Sequence, residues 1–369
     1  MAEYNISSGM KVVQFQRRPL AGNHSIERVF ETVRSGLAGV EIAVNICPFE
    51  SQGFFRRLYN SVDAALSQGD VNHVTGDVHY LAPLLRKNRT VLTVHDCGTM
   101  LRICGLRRLV YLWMWLELPL RRCSIVTVIS EQTKRELLQY TSCPEYKIRV
   151  VPDPVSDEFR PAPKAFNADR PRILHIGSTV NKNLDRLTAA LSGIPCKLDI
   201  IGRISVDAKK RLDDAGVEYE CAAGLSSAEV VAKYREADLV AFCSTYEGFG
   251  MPIIEAQAVG RPVVTSNIEP MSGVAGGAAC LVDPFDVDSI RKGILRVIGD
   301  PAHRDELVLK GFENVQRFSP EAVGRVYLEI YQEVASANVS PAPRALVQTI
   351  QLERTTPQLN NRFAEREDS

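Results

Sequence analysis

The sequence has no net charge and no long apolar run. Its 369 residues include 44 Lys and Arg and 44 Asp and Glu, so no overall positive field would attract nucleic acid, and we expect no nucleic-acid partner. The longest suspicious apolar stretch, Leu109 to Leu116, is much shorter than the roughly 20 residues that cross a bilayer. The start, MAEYNISSGMKVVQF, lacks the basic region and apolar core of a signal peptide. We therefore expect a cytoplasmic protein that is not integral to a membrane.

The nine cysteines are odd in number and form no CxxC pair and no Cys/His cluster at metal-ligand spacing. We interpret them as reduced, partly buried thiols, as is typical of a cytoplasmic protein. They are Cys47, Cys97, Cys104, Cys123, Cys143, Cys196, Cys221, Cys243 and Cys280.

Short β-rich runs alternate with helical stretches along most of the chain, which indicates parallel βαβ units. Apolar residues make up 45% and charged residues 24%, and the length suffices for two domains that each bury a core. The alternation stops at PDPVSDEFRPAPKAFNADRP, residues 152–171, whose five prolines mark a linker. The sequence therefore predicts an α/β fold of two doubly wound halves, with ligands outside the carboxyl ends of strands.

Five strands are predicted in each half. They are Lys11–Phe15, Val40–Ile46, Thr90–Val94, Ile125–Ile129 and Ile148–Val151, then Arg172–Ile176, Lys197–Ile201, Asp238–Cys243, Pro262–Ser266 and Ala279–Asp283. The predicted division is 1–160 for the first domain, 161–319 for the second, 320–336 for a closing helix, and 337–369 for a polar, disordered tail.

The segment CSTYEGFGMPIIEAQAVG, residues 243–260, follows a predicted buried strand and enters a helix. Backbone amides collect where a strand ends and a helix begins, and glycines at 248 and 250 allow a ligand to approach them closely. Glu247 can accept hydrogen bonds from two neighbouring hydroxyls of a sugar. Glu255, expected in the first helical turn and ionised there, can hold a second diol. Two diol readers separated by amides suit a ligand made of sugar, diphosphate and ribose.

A second strand, glycine turn and helix lies in HIGSTVNKNLDRLTAAL, residues 175–191. Gly177 allows a close turn, and Lys182 precedes a helix whose free amides could share a diphosphate with its ammonium. Taken alone, the lysine would more simply lie on a solvated helix end. In TVLTVHDCGTM, His95 and Asp96 follow a strand of the first half, where a histidine can serve a ligand or be a satisfied structural residue. Gly22, in RRPLAGNHSIERVF, is a further candidate in a glycine loop.

These segments together resemble the retaining glycosyltransferases of family four, which have the GT-B fold and a Glu-x7-Glu signature, here within YEGFGMPIIEAQAVGRPVV. The resemblance covers about residues 11–335. It implies that Glu247 and the amides of Gly248, Phe249 and Gly250 bind the donor sugar, and that Glu255 binds the ribose. It also implies that Gly177, Ser178 and Lys182 form the diphosphate loop, with His95 on the acceptor side. Asn181 stands where the family commonly has arginine, which leaves Lys182 as the clearest cation, with Arg203 as a helper.

The resemblance implies transfer of a hexosyl group, with retained configuration, from a nucleotide-diphosphate sugar to a glycan or lipid-linked glycan. The catalytic residues would be Glu247, His95 and Lys182. Asp286-Val287-Asp288 looks like a metal-binding DxD, but these acids suit a helix start, so we expect no metal. The alternatives are a sugar-nucleotide epimerase, a phosphorylase and a non-catalytic sugar-nucleotide-binding subunit. A glycosidase that uses both glutamates is disfavoured. The two carboxyls of a glycosidase lie roughly 5 to 9.5 Å apart, and we expect a larger separation because an extended loop and a helical turn lie between Glu247 and Glu255.

The segment LRICGLRRLVYLWMWLELPLRRC, residues 101–123, has five arginines, one glutamate and two tryptophans. Basic ends around an aromatic centre could lie on an anionic membrane surface, where lipid-linked acceptors are found. A helix that packs in the core with solvated arginines explains the pattern equally well. We therefore expect either peripheral contact with the inner face of the membrane or a helix that packs in the core.

Overall fold

The computed structural model describes residues 9–19 and 25–337 of the chain. The candidate Gly22 and the tail predicted to be disordered, apart from Ala337, lie outside these residues. Within them, no helix is long and apolar enough to span a bilayer.

The first half is built on a parallel sheet with strand order β2-β1-β3-β4-β5-β6. Its strands are β1 (Lys11–Gln16), β2 (Glu41–Ile46), β3 (Val71–Val74), β4 (Thr90–Val94), β5 (Ile125–Val128) and β6 (Ile148–Val150). The central strands β3, β4 and β5 are buried along their whole length, as expected where helices cover both faces of a parallel sheet. The carboxyl ends of all six strands therefore lie at one edge of the sheet.

The helices of the first half follow the strands in alternation. They are α1 (Ser25–Ser35), α2 (Phe54–Leu66), α3 (Thr99–Arg102), α4 (Gly105–Tyr111), α5 (Leu118–Arg122) and α6 (Glu131–Tyr140), with 3-10 turns at His79–Leu84, Lys87–Arg89 and Glu145–Lys147. A π-helical segment, Leu112–Glu117, joins α4 to α5. Residues 105–122 therefore form one continuous helical segment.

The second half is a parallel sheet with strand order β12-β11-β10-β7-β8-β9. Its strands are β7 (Arg172–Ile176), β8 (Lys197–Ile201), β9 (Glu218–Ala222), β10 (Leu239–Phe242), β11 (Val263–Ser266) and β12 (Cys280–Val282). Its helices are α7 (Leu184–Leu191), α8 (Val206–Asp214), α9 (Ser227–Glu236), α10 (Met251–Val259), α11 (Met271–Ala275), α12 (Val287–Gly299) and α13 (Pro301–Val315), with 3-10 turns at Val180–Lys182 and Gln316–Phe318. Each of the ten predicted strands is present, and β3 and β9 are two that the sequence did not predict.

The last described helix, α14 (Pro320–Ser336), leaves the second half and packs on the first. Its Tyr327 and Tyr331 are buried against Phe30 and the ring of His73. The hydroxyl of Tyr331 lies 2.7 Å from His73 Nδ1. The predicted residue boundaries of the two domains remain a proposal, but this helix ties the end of the described chain to the first sheet.

All nine cysteines are free thiols, and seven of them are buried. The two exposed ones are Cys104, just before α4, and Cys221 in β9. Burial raises the pKa of the buried thiols, for example to about 12 for Cys97 and Cys243. The buried thiols are therefore protonated near neutral pH.

Candidate active site

The loop between β10 and α10 carries the predicted sugar-binding residues. Strand β10 is buried along its length, and α10 has Pro252 in its first turn and ends at Gly260, whose φ of 82° is left-handed. Gly250 precedes the helix with a φ of 123°, a conformation that favours glycine. The loop therefore presents the amino end of α10 at the carboxyl edge of the second sheet.

Lys182 and Glu247 meet where the loops after β7 and β10 come together. Lys182 Nζ lies 2.7 Å from Glu247 Oε1, and both side chains are largely buried. The ammonium also lies 4.8 Å from the centre of the Phe242 ring, within the range of a cation-π interaction. The structure thus brings together the predicted diphosphate-binding cation and the predicted sugar-binding carboxylate.

Gly177 makes room for Lys182. A Cβ atom at position 177 would lie 2.8 Å from both Cγ and Cε of the lysine side chain, and the φ of Gly177 is 94°. Ser178 is exposed beside it, and Arg203, the predicted helper, is also exposed. Because glycine has no side chain, the side chain of Lys182 can cross the turn at position 177.

Asn181 fastens the two loops to each other. Its Nδ2 donates to the carbonyl oxygen of Tyr246 at 2.9 Å and lies 3.4 Å from Glu247 Oε1. Its own carbonyl oxygen accepts from the amide of Thr245 at 2.8 Å. Asn181 thus holds the loop that carries Glu247 in place through hydrogen bonds.

Glu255 lies in the second turn of α10, one turn later than the sequence predicted. Tyr234 donates a hydrogen bond to its Oε2 at 2.5 Å. Burial raises the pKa of Glu255, while Tyr234, Arg28 and Lys182 act to lower it. Desolvation is the largest influence on this carboxyl and acts against the effect expected from the helix dipole.

Gly248 lies against the first half. A Cβ atom on Gly248 would be 2.6 Å from the carbonyl oxygen of His95 and 3.3 Å from Cβ of Asp96. The side chain of Phe249 is buried and packs edge-on against Phe318, with ring centres 5.7 Å apart. The Phe249 side chain is thus committed to packing, and the role of its backbone amide in sugar binding stays a prediction.

His95 follows β4 and is half-buried at the carboxyl edge of the first sheet. Its Nε2 lies 2.8 Å from the carbonyl oxygen of Thr75, so this nitrogen carries the proton and donates it. The ring also abuts Gly76, where a Cβ atom would lie 2.5 Å from Cδ2. Nε2 is therefore committed to a backbone contact.

Several residues at this site were not among the predicted site residues. Tyr246 donates to Glu136 of α6 at 2.9 Å, across the two halves. Tyr234 of α9 holds Glu255, and Arg28 of α1 acts on the same carboxylate from the first half. Tyr246 adjoins the glutamate motif, so its position was a usable signal. Glu136 and Tyr234 lie on other helices, and no spacing rule connects them to the motif.

The acids of the DxD-like segment lie at the start of helix α12. Asp286 caps α12, and its side chain accepts a hydrogen bond from the amide of Asp288 at 2.9 Å. Across residues 9–19 and 25–337, no three His, Cys, Asp or Glu side chains are grouped so that they could hold a metal ion.

Two family models together match residues 28–313 of the chain. The model described as "Glycosyltransferase Family 4" matches residues 28–159, and the one described as "Glycosyl transferases group 1" matches residues 156–313. O-antigen chain mannosyltransferase B of Escherichia coli is 40% identical over 88 residues, which is 24% of this chain and 23% of that protein. An uncharacterised glycosyltransferase of Methanocaldococcus jannaschii is 27% identical over 237 residues, 57% of this chain and 60% of that protein. The chain thus spans less than two thirds of the length of these relatives.

The fold also matches solved structures along most of its length. Anabaena HepE in complex with UDP-glucose superposes with a TM-score of 0.72 at 14% identity, covering 88% of this chain and 100% of that one. The two parallel sheets, whose carboxyl edges meet at Gly248 and His95, define a GT-B fold of two Rossmann-like domains. The two family models, which together span residues 28–313, identify the chain as a family-four-like glycosyltransferase. The predicted fold and family are confirmed, whereas retention and the Glu-x7-Glu signature stay predictions.

Proposed function

We propose that this protein transfers a hexosyl group from a nucleotide-diphosphate sugar to a hydroxyl of a glycan or lipid-linked glycan, in polysaccharide or glycoconjugate biosynthesis. The observation that carries the proposal is the contact of 2.7 Å between Lys182 Nζ and Glu247 Oε1, at the amino end of α10. A cation, a carboxylate and helix-end amides fit a diphosphate joined to a sugar. The name of the Escherichia coli relative makes mannose the first sugar to test.

Donor binding would exchange the partner of Lys182. The diphosphate pairs with the ammonium of Lys182 in place of Glu247. The carboxylate of Glu247 can then accept hydrogen bonds from sugar hydroxyls. Negative charge grows on the diphosphate as the glycosidic bond breaks, so Lys182 and the helix-end amides stabilise the transition state more than the ground state. The contribution of the lysine is therefore electrostatic.

We further propose that the reaction retains the configuration of the sugar and needs no metal. The acceptor hydroxyl attacks the sugar carbon from the face that the diphosphate leaves. The bond from carbon to phosphate oxygen breaks, the bond from carbon to acceptor oxygen forms, and a phosphate oxygen takes the acceptor proton. Product NMR tests retention, and unchanged activity after chelation with EDTA tests metal independence.

The substitution Lys182→Met removes the ammonium and keeps much of the apolar stem. We expect the rate of sugar transfer to fall about 10²- to 10³-fold, as when one preorganised transition-state donor is lost. The matched control is Lys310→Met, because Lys310 pairs with Glu306 on the surface of α13. Steady-state transfer from GDP-mannose and from UDP-, TDP- and GDP-linked glucose, with a glycan acceptor, provides the measurement.

Each alternative leads to a different result in that assay. Release of free sugar without a glycan product would indicate a hydrolase, and a changed sugar nucleotide would indicate an epimerase. A requirement for inorganic phosphate would indicate a phosphorylase. Nucleotide binding in calorimetry with no turnover would indicate a non-catalytic subunit. Transfer by Lys182→Met at the wild-type rate would contradict the proposed role of the lysine.

We also propose that the first half contacts an anionic membrane through residues 101–123. Six large apolar side chains are exposed between Leu101 and Met114, including Leu106 at 76% and Trp113 at 54%. Arginine is the dominant charge of the segment, because five arginines stand against one acid, Glu117, which pairs with Arg121 at 3.4 Å. Apolar side chains within a basic border suit the surface of an anionic bilayer.

Helix α2 extends this surface. Residues 54–59 are all exposed, with Phe54 at 71% and Phe55 at 82%. Arg57 of α2 stacks 5.1 Å from the ring centre of Trp115, so α2 and the segment 101–123 are neighbours. We call α2 and residues 101–123 the two-helix surface. A second copy of the same surface would place arginines against arginines, which disfavours self-association here.

A further inference from the structure

The side chain of Tyr246 crosses from the second half to the first. Its hydroxyl donates to Glu136 Oε2 at 2.9 Å, and Glu136 is only 7% exposed. The other oxygen of this carboxylate accepts from Gln132 Nε2 at 2.8 Å. Both oxygens of a nearly buried acid on α6 are therefore engaged, one of them by a residue of the opposite half.

The backbone of Tyr246 is held by its own half. Asn181 Nδ2 donates to the carbonyl oxygen of Tyr246 at 2.9 Å, and the next residue is Glu247. The tyrosine ring lies against Gly98 of the first half, where a Cβ atom would be 3.2 Å from Cε1. Tyr246 thus links the first half to the residue immediately before the sugar-binding glutamate.

Several contacts between the halves converge on this one loop. Besides the hydrogen bond of Tyr246, Gly248 lies so close to the carbonyl oxygen of His95 that no side chain fits between them. Glu247 lies between these two residues in sequence, and its carboxylate is fixed by Lys182. Separation of the halves would break the contacts on both sides of Glu247.

We propose, building on the transfer reaction proposed above, that the hydrogen bond between Tyr246 and Glu136 is a positioning contact. It holds the halves together and orients Glu247 toward the donor sugar only when the acceptor-side half is in place. Tyr246 and Glu136 are positioning residues, since they act through Glu247. The contact makes productive orientation of the donor depend on closure, which also limits loss of the donor to water.

The test uses Tyr246→Phe, which removes one hydroxyl, and Glu136→Leu, which removes its acceptor. We expect each to lower kcat for transfer roughly 10- to 100-fold, the scale of a small misplacement of reacting groups, with donor affinity in calorimetry kept within about threefold. We expect the double variant to lose no more than either single one, because both changes remove the same contact. Glu136→Gln keeps an acceptor oxygen and should recover part of the loss.

Tyr80→Phe is the matched control, because the Tyr80 hydroxyl bonds Ser51 and Asn60 entirely within the first half. It should cost stability and leave kcat unchanged. Additive losses in the double variant, or unchanged kcat in Tyr246→Phe, would overturn the positioning role.

A measurement without turnover separates this role from the proposed reaction. We expect small-angle scattering to give a larger radius of gyration for Tyr246→Phe and Glu136→Leu than for the wild type and Tyr80→Phe. If no donor is turned over by the wild type but this difference appears, the transfer reaction fails while the contact between the halves stands. Equal radii for all four proteins would refute the contact as a closure device.

Discussion

At the scale of single residues, Gly177 and Gly248 lie beside the site, and a side chain at either position would collide with a different neighbour. Gly177 gives way to the side chain of Lys182, which runs across the turn at the end of β7. Gly248 gives way to a backbone oxygen of the other half, that of His95. A flexible side chain can move aside, whereas a backbone carbonyl cannot without a shift of the chain. We therefore expect an added side chain to clash more severely at position 248 than at position 177.

The substitution Gly248→Ala tests this close approach. The added methyl would lie 2.6 Å from His95 O, so we expect the halves to move apart and transfer to fall about 10²-fold. Gly299→Ala is the matched control, because an added Cβ there meets no atom within 4 Å. Transfer kinetics for both variants provide the measurement. Wild-type kinetics of Gly248→Ala would show that the halves need not approach this closely during the reaction.

The sequence predicted part of the residue-level geometry. The motifs placed Glu247 after one strand and Lys182 after the glycine turn of another, at the same edge of a parallel sheet. The structure adds that these strands, β10 and β7, are neighbours, which brings the two side chains to 2.7 Å. Glu136 could not be predicted, since it lies 110 positions from its partner Tyr246 and on another sheet's helix. The catalytic and binding roles of the motif residues remain predictions.

At the scale of elements, the two strands that the sequence analysis missed have polar residues where a buried strand is expected to be apolar. Strand β3 reads VNHV, and its Asn72 and His73 are completely buried. Asn72 donates to Gln68 Oε1 close by in sequence, whereas His73 is satisfied by Tyr331 and Thr93, which come from distant parts of the chain. Edge strand β9 is partly exposed and carries two glutamates. Apolar patterning alone fails for both.

The buried His73 makes the packing of α14 sensitive to acid. Burial, together with the charge of His95, lowers the pKa of His73 to about 3, whereas the unfolded chain protonates it below about 6.5. Its stabilising effect is therefore complete above pH 6.5 and is lost as the pH falls toward 3. The slope is about 1.4 kcal/mol per pH unit, and His175, whose pKa burial lowers to about 4, acts in the same direction.

The substitution His73→Asn removes this titration. We expect the free energy of unfolding to fall by about 1 to 3 kcal/mol at neutral pH, because hydrogen bonds to Tyr331 and Thr93 are lost. Between pH 6 and pH 4, the stability of the variant should decline less steeply than that of the wild type. Urea denaturation at a series of pH values provides the measurement. Equal slopes for both proteins would exclude His73 as the acid-sensitive group.

At the scale of the whole molecule, the alternation of strands and helices was enough to predict two doubly wound halves, because each βαβ unit is a local pattern. How the halves meet was not predictable in this way. It depends on single contacts such as Gly248 against His95 O, and on α14, which returns to bury Tyr327 and Tyr331 in the first half. No local pattern specifies which surface a returning helix covers.

The two-helix surface gives the whole molecule an expected orientation at a membrane. We expect the wild type to float with vesicles containing anionic phospholipid and to be released by high salt, because the attraction is screened. The double substitution Arg107→Glu and Arg108→Glu should abolish flotation, and Phe54→Ser with Phe55→Ser should weaken it at every salt concentration.

The control reverses two exposed lysines of the other half, Lys209→Glu and Lys210→Glu, and it should float like the wild type. Flotation with neutral vesicles to the same extent, or no flotation with anionic ones, would remove the membrane proposal. Loss of flotation in the lysine control would show that net charge, rather than the two-helix surface, governs the attraction.

The distribution of thiols offers a practical route to watching the protein move. Cys104 and Cys221 are exposed, one in each half, while the other seven cysteines are buried. Because a reagent reaches exposed thiols and not buried ones, maleimide fluorophores should attach at these two positions of the unaltered chain. A donor and acceptor dye pair placed there would report opening and closing of single molecules as energy transfer, with no engineered attachment point.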